Sequence, residues 1–335
     1  MSELPFAHGG PALRGVLRAN AEDFEVDEDL GFEPEGHGEH VLVRIEKRDA
    51  NTEWVARSLA SALGLPPLAI GFSGLKDRHA LTRQTFSVQL PGKADPDWQA
   101  LAIDGVRVLD ARRHPRKIKR GTHRGNRFRI HLREVDGDRR AAEGVLERIQ
   151  SLGTPNYFGE QRFGRDGENL RLAAALFGGA RLGRSQRGFA LSAARSHLFN
   201  RVLAQRVATA TWNRALEGEV WMLAGTHSIF GPQALDAELE RRLAAADIDP
   251  TGPMWGRGEL RSAGVVRELE QSVADSEARW ARGLEAADLR QERRALRLRA
   301  TGLQHEWIGG DGLRLDFALP SGTFATALVR EICAT

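Results

Sequence analysis

Strand periodicity marks both ends of this chain and gives way to helical spacing in between, and that order constrains the fold more than any other feature. Val41, Val43 and Ile45 alternate with Leu42, Arg44 and Glu46, and Gln84, Phe86, Val88 and Leu90 alternate with Thr85, Ser87 and Gln89. A period of two predicts strands. Phe128, Ile130 and Leu132 alternate with Arg127, Arg129, His131 and Arg133, so a further strand carries one apolar and one very basic face. Between the first two strands, Asn51 or Thr52 can cap a helix with the stripe Val55, Leu59 and Leu63, which Gly64, Pro66 and Pro67 stop. Residues 138–151 return to helical spacing. After Gly153 the segments 166–177, 190–210, 234–246 and 264–290 read as helices with few strands between them. Behind Gly309-Gly310-Asp311-Gly312 a strand resumes, with Leu313, Leu315, Phe317 and Leu319 on one face, and Phe324 to Cys333 reads as a short helix. A strand-bearing tail is expected to rejoin the first sheet, which makes the helical block an insertion. The expected organisation is a discontinuous α+β (mixed α/β) domain of residues 1–152 and 300–335, with a largely helical domain of 153–299.

Composition excludes several classes. Hydrophobic residues make up 41% of the 335, enough for a core, so a disordered or collagen-like chain is ruled out. No apolar run approaches the ~18 residues of a membrane span. The first residues lack a basic end followed by an apolar run, so no secretory signal is expected. The one cysteine, Cys333, permits neither an intramolecular disulfide nor a zinc site needing two thiolates. These readings point to a cytoplasmic protein.

The formal net charge of +3 conceals two runs of opposite sign. Residues 22–39 hold nine carboxylates and no Lys or Arg, whereas residues 107–133 hold eleven Lys or Arg and one acid, Asp110. The stretch 112–129 reads as a loop leading into the basic strand. Clustering of that kind suits a polyanion, which makes Arg112, Arg113, Arg116, Lys117, Lys119, Arg120 and Arg124 candidate phosphate contacts. Of the 48 Lys and Arg residues only five are lysine, and arginine offers the planar fork that suits phosphate.

There is no Walker loop and no GxGxxG behind a strand. His37 and His40 lie three apart in a Gly/Glu-rich loop with no further clustered ligands, so neither a metal nor a cofactor is expected. The segment GFSGLKDRHALTRQ, from Gly71 to Gln84, ends a strand in a glycine-bearing turn and delivers Lys76, Asp77, Arg78 and His79. Polar residues at a strand's end suit a cleft, although Asp also serves ordinary turns. Asn156-Tyr157-Phe158-Gly159 precedes Gln161-Arg162-Phe163-Gly164, where aromatics beside Arg could stack on bases or pack a hinge.

These blocks, AEDFEVDEDLGFEPEGHGEHVLVRIEK, GLKDRHALTRQ, GNRFRIHLREV, PNYFGEQRFG, LSAARSHLFN, GPMWGRGE and LPSGTFATALVRE, run from residue 21 to residue 331. Together they resemble the TruD family of tRNA pseudouridine synthases, least clearly around 205–250. The resemblance implies a cofactor-free isomerase that acts on uridine 13 of tRNA. It also implies the pseudouridine synthase fold, with a mainly antiparallel sheet and a helical TruD insertion. Matched motif to motif, it puts the catalytic nucleophile on Asp77 and substrate contacts on Phe24, Asn126, Phe128 and Phe324. It also uses phenylalanine where related families place a tyrosine, which fits a chain whose one tyrosine is Tyr157.

Converting uridine to pseudouridine breaks a glycosidic bond, turns the base and rejoins it through carbon. One ionised carboxylate suffices, as nucleophile or as base at the sugar. Keeping it ionised while water is excluded calls for a nearby cation. Neighbours in an extended chain point to opposite faces, so that cation is expected from elsewhere than Lys76 or Arg78. The expected partner is tRNA, the expected state a monomer, and the phosphates would be tracked by the arginines of 112–133. Two other readings compete: a non-catalytic RNA-binding or chaperone protein of the same fold, and a hydrolase using two of the 22–39 carboxylates. A solvated acidic hairpin explains that acidic run more simply than the hydrolase does.

Overall fold

A computed structural model describes residues 4–335, and the chain divides into two compact units. One, the sheet unit, comprises Leu13–Asp138, Ala300–Gly322 and Thr335. The other, the helical unit, comprises Met1–Ala12 (of which residues 4–12 are described), Arg139–Arg299 and Thr323–Ala334.

The sheet unit begins with β1 (Leu13–Leu17), β2 (Phe24–Asp29) and β3 (His40–Arg48), followed by α1 (Thr52–Ala62). It continues with β4 (Ile70–Phe72), β5 (Leu81–Gln89), β6 (Val106–His114) and β7 (Gly125–Gly137). The Asn51 side chain caps α1 by accepting from the Glu53 amide at 2.9 Å. Val55 and Leu59 of α1 are buried in one core with Val41, Val43 and Ile45 of β3 and Phe86 and Val88 of β5. Each such side chain contributes about 1.5–3 kcal/mol by leaving water.

The helical unit holds α2 (Arg139–Leu152), β8 (Thr154–Pro155), α3 (Glu168–Phe177) and α4 (Arg184–Ala208). Then come β9 (Trp221–Leu223), β10 (Ile229–Phe230), α5 (Ala237–Ala244) and β11 (Ile248–Met254). It ends its long segment with α6 (Gly264–Ser276), α7 (Ala278–Ala286), β12 (Glu292–Ala295) and β13 (Arg297–Leu298). The chain returns to the sheet unit with β14 (Thr301–Ile308) and β15 (Gly312–Pro320), and α8 (Ala325–Ile332) belongs to the helical unit.

In the sheet unit the strand order is β14-β15-β7-β2-β5-β3-β6, with β1 against β7 and β4 against β5. All these pairs are antiparallel except β2 with β5. β15 lies beside β7 with Leu313 opposite Leu132 and Phe317 opposite Phe128, so the late strands complete the first sheet. The fold is α+β with a mainly antiparallel sheet.

Three sequence expectations change. The acidic run is no solvated hairpin: Phe24–Asp29 is a strand between β7 and β5, with Asp27 opposite Arg127 and Glu25 opposite Arg129. Residues 112–114 are not loop but the end of β6. The block after Gly153 is less helical than it reads, because β9, β10, β11 and β12 form a four-stranded sheet. Its strand β11 has the sequence IDPTGPM, and two prolines and a glycine hide a strand from any propensity reading.

The division also differs in extent from 1–152 with 300–335 and 153–299. The N-terminal segment and α8 are tied into the helical unit, where the buried Glu331 carboxylate accepts from the Ala7 and His8 amides at 3.0 and 3.2 Å. The His8 ring donates to the Gly153 carbonyl at 2.8 Å.

Candidate active site

Asp77 sits on the loop between β4 and β5, and buried polar groups fix that loop from several directions. Glu28 faces inward on β2, two residues beyond Val26 and four beyond Phe24, as strand alternation requires. Its Oε1 accepts from Ser73 Oγ at 2.5 Å and from Lys76 Nζ at 2.6 Å, and its Oε2 accepts from the Thr85 amide at 3.0 Å. The Lys76 amide donates to Thr52 Oγ1 at 3.0 Å, and Thr52 donates on to Gln84 Oε1 at 2.9 Å. Gln84 Nε2 donates to the Gly74 carbonyl, and the Ser73 carbonyl accepts from the Gly121 amide. Lys47, fully buried on β3, donates to the Asp77 carbonyl at 2.9 Å and to the Ala50 carbonyl at 2.7 Å.

The Asp77 carboxylate is half-buried, 30% exposed, and accepts from Arg18 Nη2 at 2.8 Å. Arg18 follows β1 and holds a left-handed φ of 63°. Its guanidinium also lies 4.1 Å over the centre of the Phe24 ring. Lys76 points inward to Glu28 and Arg78 is exposed. Arg18 is thus a cation that sequence spacing did not name.

Burial pushes the Lys47 ammonium down to about 8 from an ordinary 10.5, against the opposing pull of the Asp77 charge. Between those values the unfolded chain binds a proton that the folded chain does not, so this group's contribution to stability rises with pH. Lys47→Met removes the effect. We expect the wild type to gain roughly 2–3 kcal/mol over that variant between pH 8 and pH 10. Urea denaturation of both proteins at the two pH values checks this, and a constant difference would contradict it.

Phe24 is 2% and Phe128 6% exposed. They meet edge to face at 6.1 Å, and Phe128 stacks on Phe317 at 5.5 Å. Asn126 lies two residues before Phe128 on the same face of β7, opposite Glu28. Its Oδ1 is buried and has no hydrogen-bond partner among the described residues. Such an atom costs about 1–3 kcal/mol unless a ligand or water supplies a donor. The structure therefore brings Asp77, Phe24 and Phe128 together through Arg18, with Asn126 on the same strand face as Phe128. Phe324 falls in the helical unit, at the start of α8, where it meets Phe158 edge to face at 5.8 Å.

Much of the acidic run is engaged in ion pairs, including two that reach the basic run. Glu22 pairs with Arg48, Asp23 with Arg133, Glu25 with Arg83, Asp27 with Arg44 and Asp29 with Arg124, all within 3.1 Å. Carboxylates engaged in this way are not two acids converging on a glycosidic bond. Among the candidate phosphate contacts, Arg112 pairs with Asp110 and Arg113 with Asp95, and Arg113 also donates to the Leu90 and Lys93 carbonyls. Lys117 donates to the Leu68 carbonyl, while Arg120 pairs with Glu53 and covers the Phe72 ring at 4.0 Å. Arg116, 81% exposed, reaches Glu35 only at 4.0 Å, and Lys119 is also exposed. Among the described residues no group of three or more His, Cys, Asp or Glu is placed to hold a metal ion, and no helix is long and apolar enough to cross a membrane.

A mixed, mainly antiparallel sheet that presents one carboxylate against a guanidinium has the architecture of the pseudouridine synthase fold. The comparisons with known proteins are specific. The family model for tRNA pseudouridine synthase D (TruD) matches residues 4–180 and 178–332. The tRNA pseudouridine synthase D of Xanthomonas euvesicatoria pv. vesicatoria is 47% identical over 348 residues, covering 99% of this chain and 94% of the relative. That of Methylococcus capsulatus is 46% identical over 332 residues, covering 98% and 94%. A crystal structure from Methanosarcina mazei, of a protein assigned to tRNA pseudouridine synthase D, shares the fold. Its TM-score is 0.72 at 22% identity, covering 98% of this chain and 95% of that one. The chain belongs to the tRNA pseudouridine synthase D (TruD) family.

Proposed function

We propose that this chain isomerises uridine 13 of tRNA to pseudouridine, with Asp77 as the catalytic nucleophile. It acts as a cytoplasmic monomer without metal or cofactor, and the sheet unit carries the chemistry. The observation that carries the reading is the Asp77 carboxylate on a loop fixed by buried bonds, 2.8 Å from Arg18. The reaction balances within the substrate. The N1–C1′ bond breaks, the C5–C1′ bond forms, the C5 proton leaves to solvent and N1 takes one up. No electrons are exchanged with a partner, so one carboxylate and a receiving pocket suffice. Arg18 aims the carboxylate through its 2.8 Å hydrogen bond. Phe24 holds the guanidinium from below, and Phe128 backs Phe24. The Asn126 oxygen accepts a hydrogen bond from the unstacked uracil or its sugar. Phe324 supplies a ring for a base to stack on.

Among the candidate phosphate contacts Arg112, Arg113, Arg116, Lys117, Lys119, Arg120 and Arg124, the exposed Arg116 and Lys119 are the least engaged by the protein itself. Replacing Arg116 and Lys119 together by glutamine should weaken tRNA binding and reduce the salt slope by about 0.7–0.9 per lost phosphate contact. Fluorescence anisotropy at several salt concentrations measures this, and an unchanged slope would move the RNA path elsewhere.

Turnover itself is read by incubating the purified chain with tRNA tritiated at uridine C5. Tritium enters solvent as the C5–C1′ bond forms. Binding without release would indicate a non-catalytic RNA-binding protein, and release of free uracil would indicate a hydrolase.

A further inference from the structure

In the helical unit, Phe158 is flanked by two guanidiniums. Arg294 lies 4.1 Å and Arg162 5.2 Å from its ring centre, and Arg162 is also 5.5 Å from the Phe324 ring. Arg162 Nη1 donates to the neutral Ser192 hydroxyl at 2.9 Å, and its buried Nε has no acceptor among the described residues. No carboxylate among the described residues lies within ion-pair distance of Arg162. Other buried arginines of the same unit are treated differently: Arg206 pairs with Glu219, Arg293 with Glu270 and Arg297 with Asp249. Arg294 donates to Asn156 Oδ1 at 2.6 Å. Burial lowers both guanidiniums from their ordinary values, and the Arg162 charge lowers Arg294 further. Arg162, desolvated and near a second cation, bears a cost that an anion at its side would offset.

A second polar atom, on the turn that carries Phe324, also lacks a partner among the described residues: Thr326 Oγ1 is buried without a hydrogen bond to any of them. A Cβ at Gly159 would lie 2.7 Å from that hydroxyl and 3.6 Å from the Phe324 ring, so only glycine lets the backbone pass this close. Donors on Arg162 and Thr326 that no described residue accepts would suit a ligand with several acceptor oxygens.

We propose that Arg162, Arg294 and the Thr326 hydroxyl bind a phosphodiester of the RNA substrate beside the Phe324 ring. This rests on the reading of the chain as a tRNA-modifying enzyme and deepens it with an RNA contact in the helical unit. A guanidinium lying on an aromatic face keeps its N–H edge for a phosphate, and Phe324 offers a base the neighbouring surface.

The test uses the full chain and an unmodified tRNA transcript, with affinity measured from about 50 to 200 mM salt. Arg162→Gln should raise Kd about tenfold at low salt and cut the salt slope by about one. Arg162→Lys keeps the charge but loses the fork, so the slope should hold while Kd rises several-fold. Thr326→Val should raise Kd without altering the slope. If Arg162 is only a structural clip, Arg162→Gln lowers Tm and leaves the slope as it was, which overturns the site. Should Arg162→Gln fail to fold, a wild-type Kd in both Arg162→Lys and Thr326→Val overturns it equally. Tritium release by the wild type is scored separately. Its absence defeats the proposed function, whereas its presence with an unchanged slope defeats this site alone.

Discussion

Asp77→Asn should abolish pseudouridine formation, by at least about a thousandfold in kcat, while the chain still folds and still binds tRNA. Asparagine has nearly the same shape and can accept from Arg18 through its amide oxygen, as the carboxylate does at 2.8 Å. What it lacks is the charge. The loop position does not depend on this side chain, because the Asp77 main-chain carbonyl is held by Lys47 and Lys76 is held by Glu28 and Thr52. The Arg18–Asp77 pair is partly exposed, so its loss costs folding no more than about 1 kcal/mol. Tritium release and anisotropy on the same preparation separate chemistry from binding. Turnover near wild type would remove Asp77 from the mechanism.

Glu28→Ala should have the largest effect on stability. It leaves the Lys76 ammonium buried without its counter-charge and strips acceptors from Ser73 and the Thr85 amide. Breaking a buried ion pair by removing one partner costs about 3–5 kcal/mol. Glu28→Gln retains acceptor and donor capacity without charge and should fall between the wild type and Glu28→Ala in both stability and kcat. Asp27→Ala, on the outward face of the same strand, removes an exposed pair with Arg44 and should cost at most about 1 kcal/mol. Urea denaturation ranks the four proteins. Equal losses for Glu28→Ala and Asp27→Ala would show that the loop is not anchored through β2.

The sheet was legible in the sequence wherever one strand face is apolar. β3, β5, β7 and β15 are strands at the positions their alternation indicates, and α1 starts at its Asn51 cap. The strands β9, β11 and β12 were not legible, because β11 is broken by prolines and the other two are short. Charge counted along the chain misled for a physical reason. The acids of β2 are met by Arg44, Arg83, Lys76 and Arg124, and the basic β7 by Asp316 and Asp23, so pairings that sequence separation conceals neutralise each run with partners largely outside the other. The anchors of the loop had a signal that went unread. Glu28 follows Phe24 and Val26, and Lys47 follows Val43 and Ile45, each a charge at the end of an apolar face. A charge on a buried face needs a partner there, and both partners lie on the loop that carries Asp77. Arg18 had no such signal, since a turn far upstream delivers it through a left-handed residue.

The most direct measurement is site-resolved pseudouridine content of an unmodified tRNA transcript after incubation with the purified chain, alongside the Asp77→Asn variant. The account predicts pseudouridine at position 13 with the wild type and uridine there with the variant. Uridine remaining at position 13 with both, or pseudouridine with both, would contradict it.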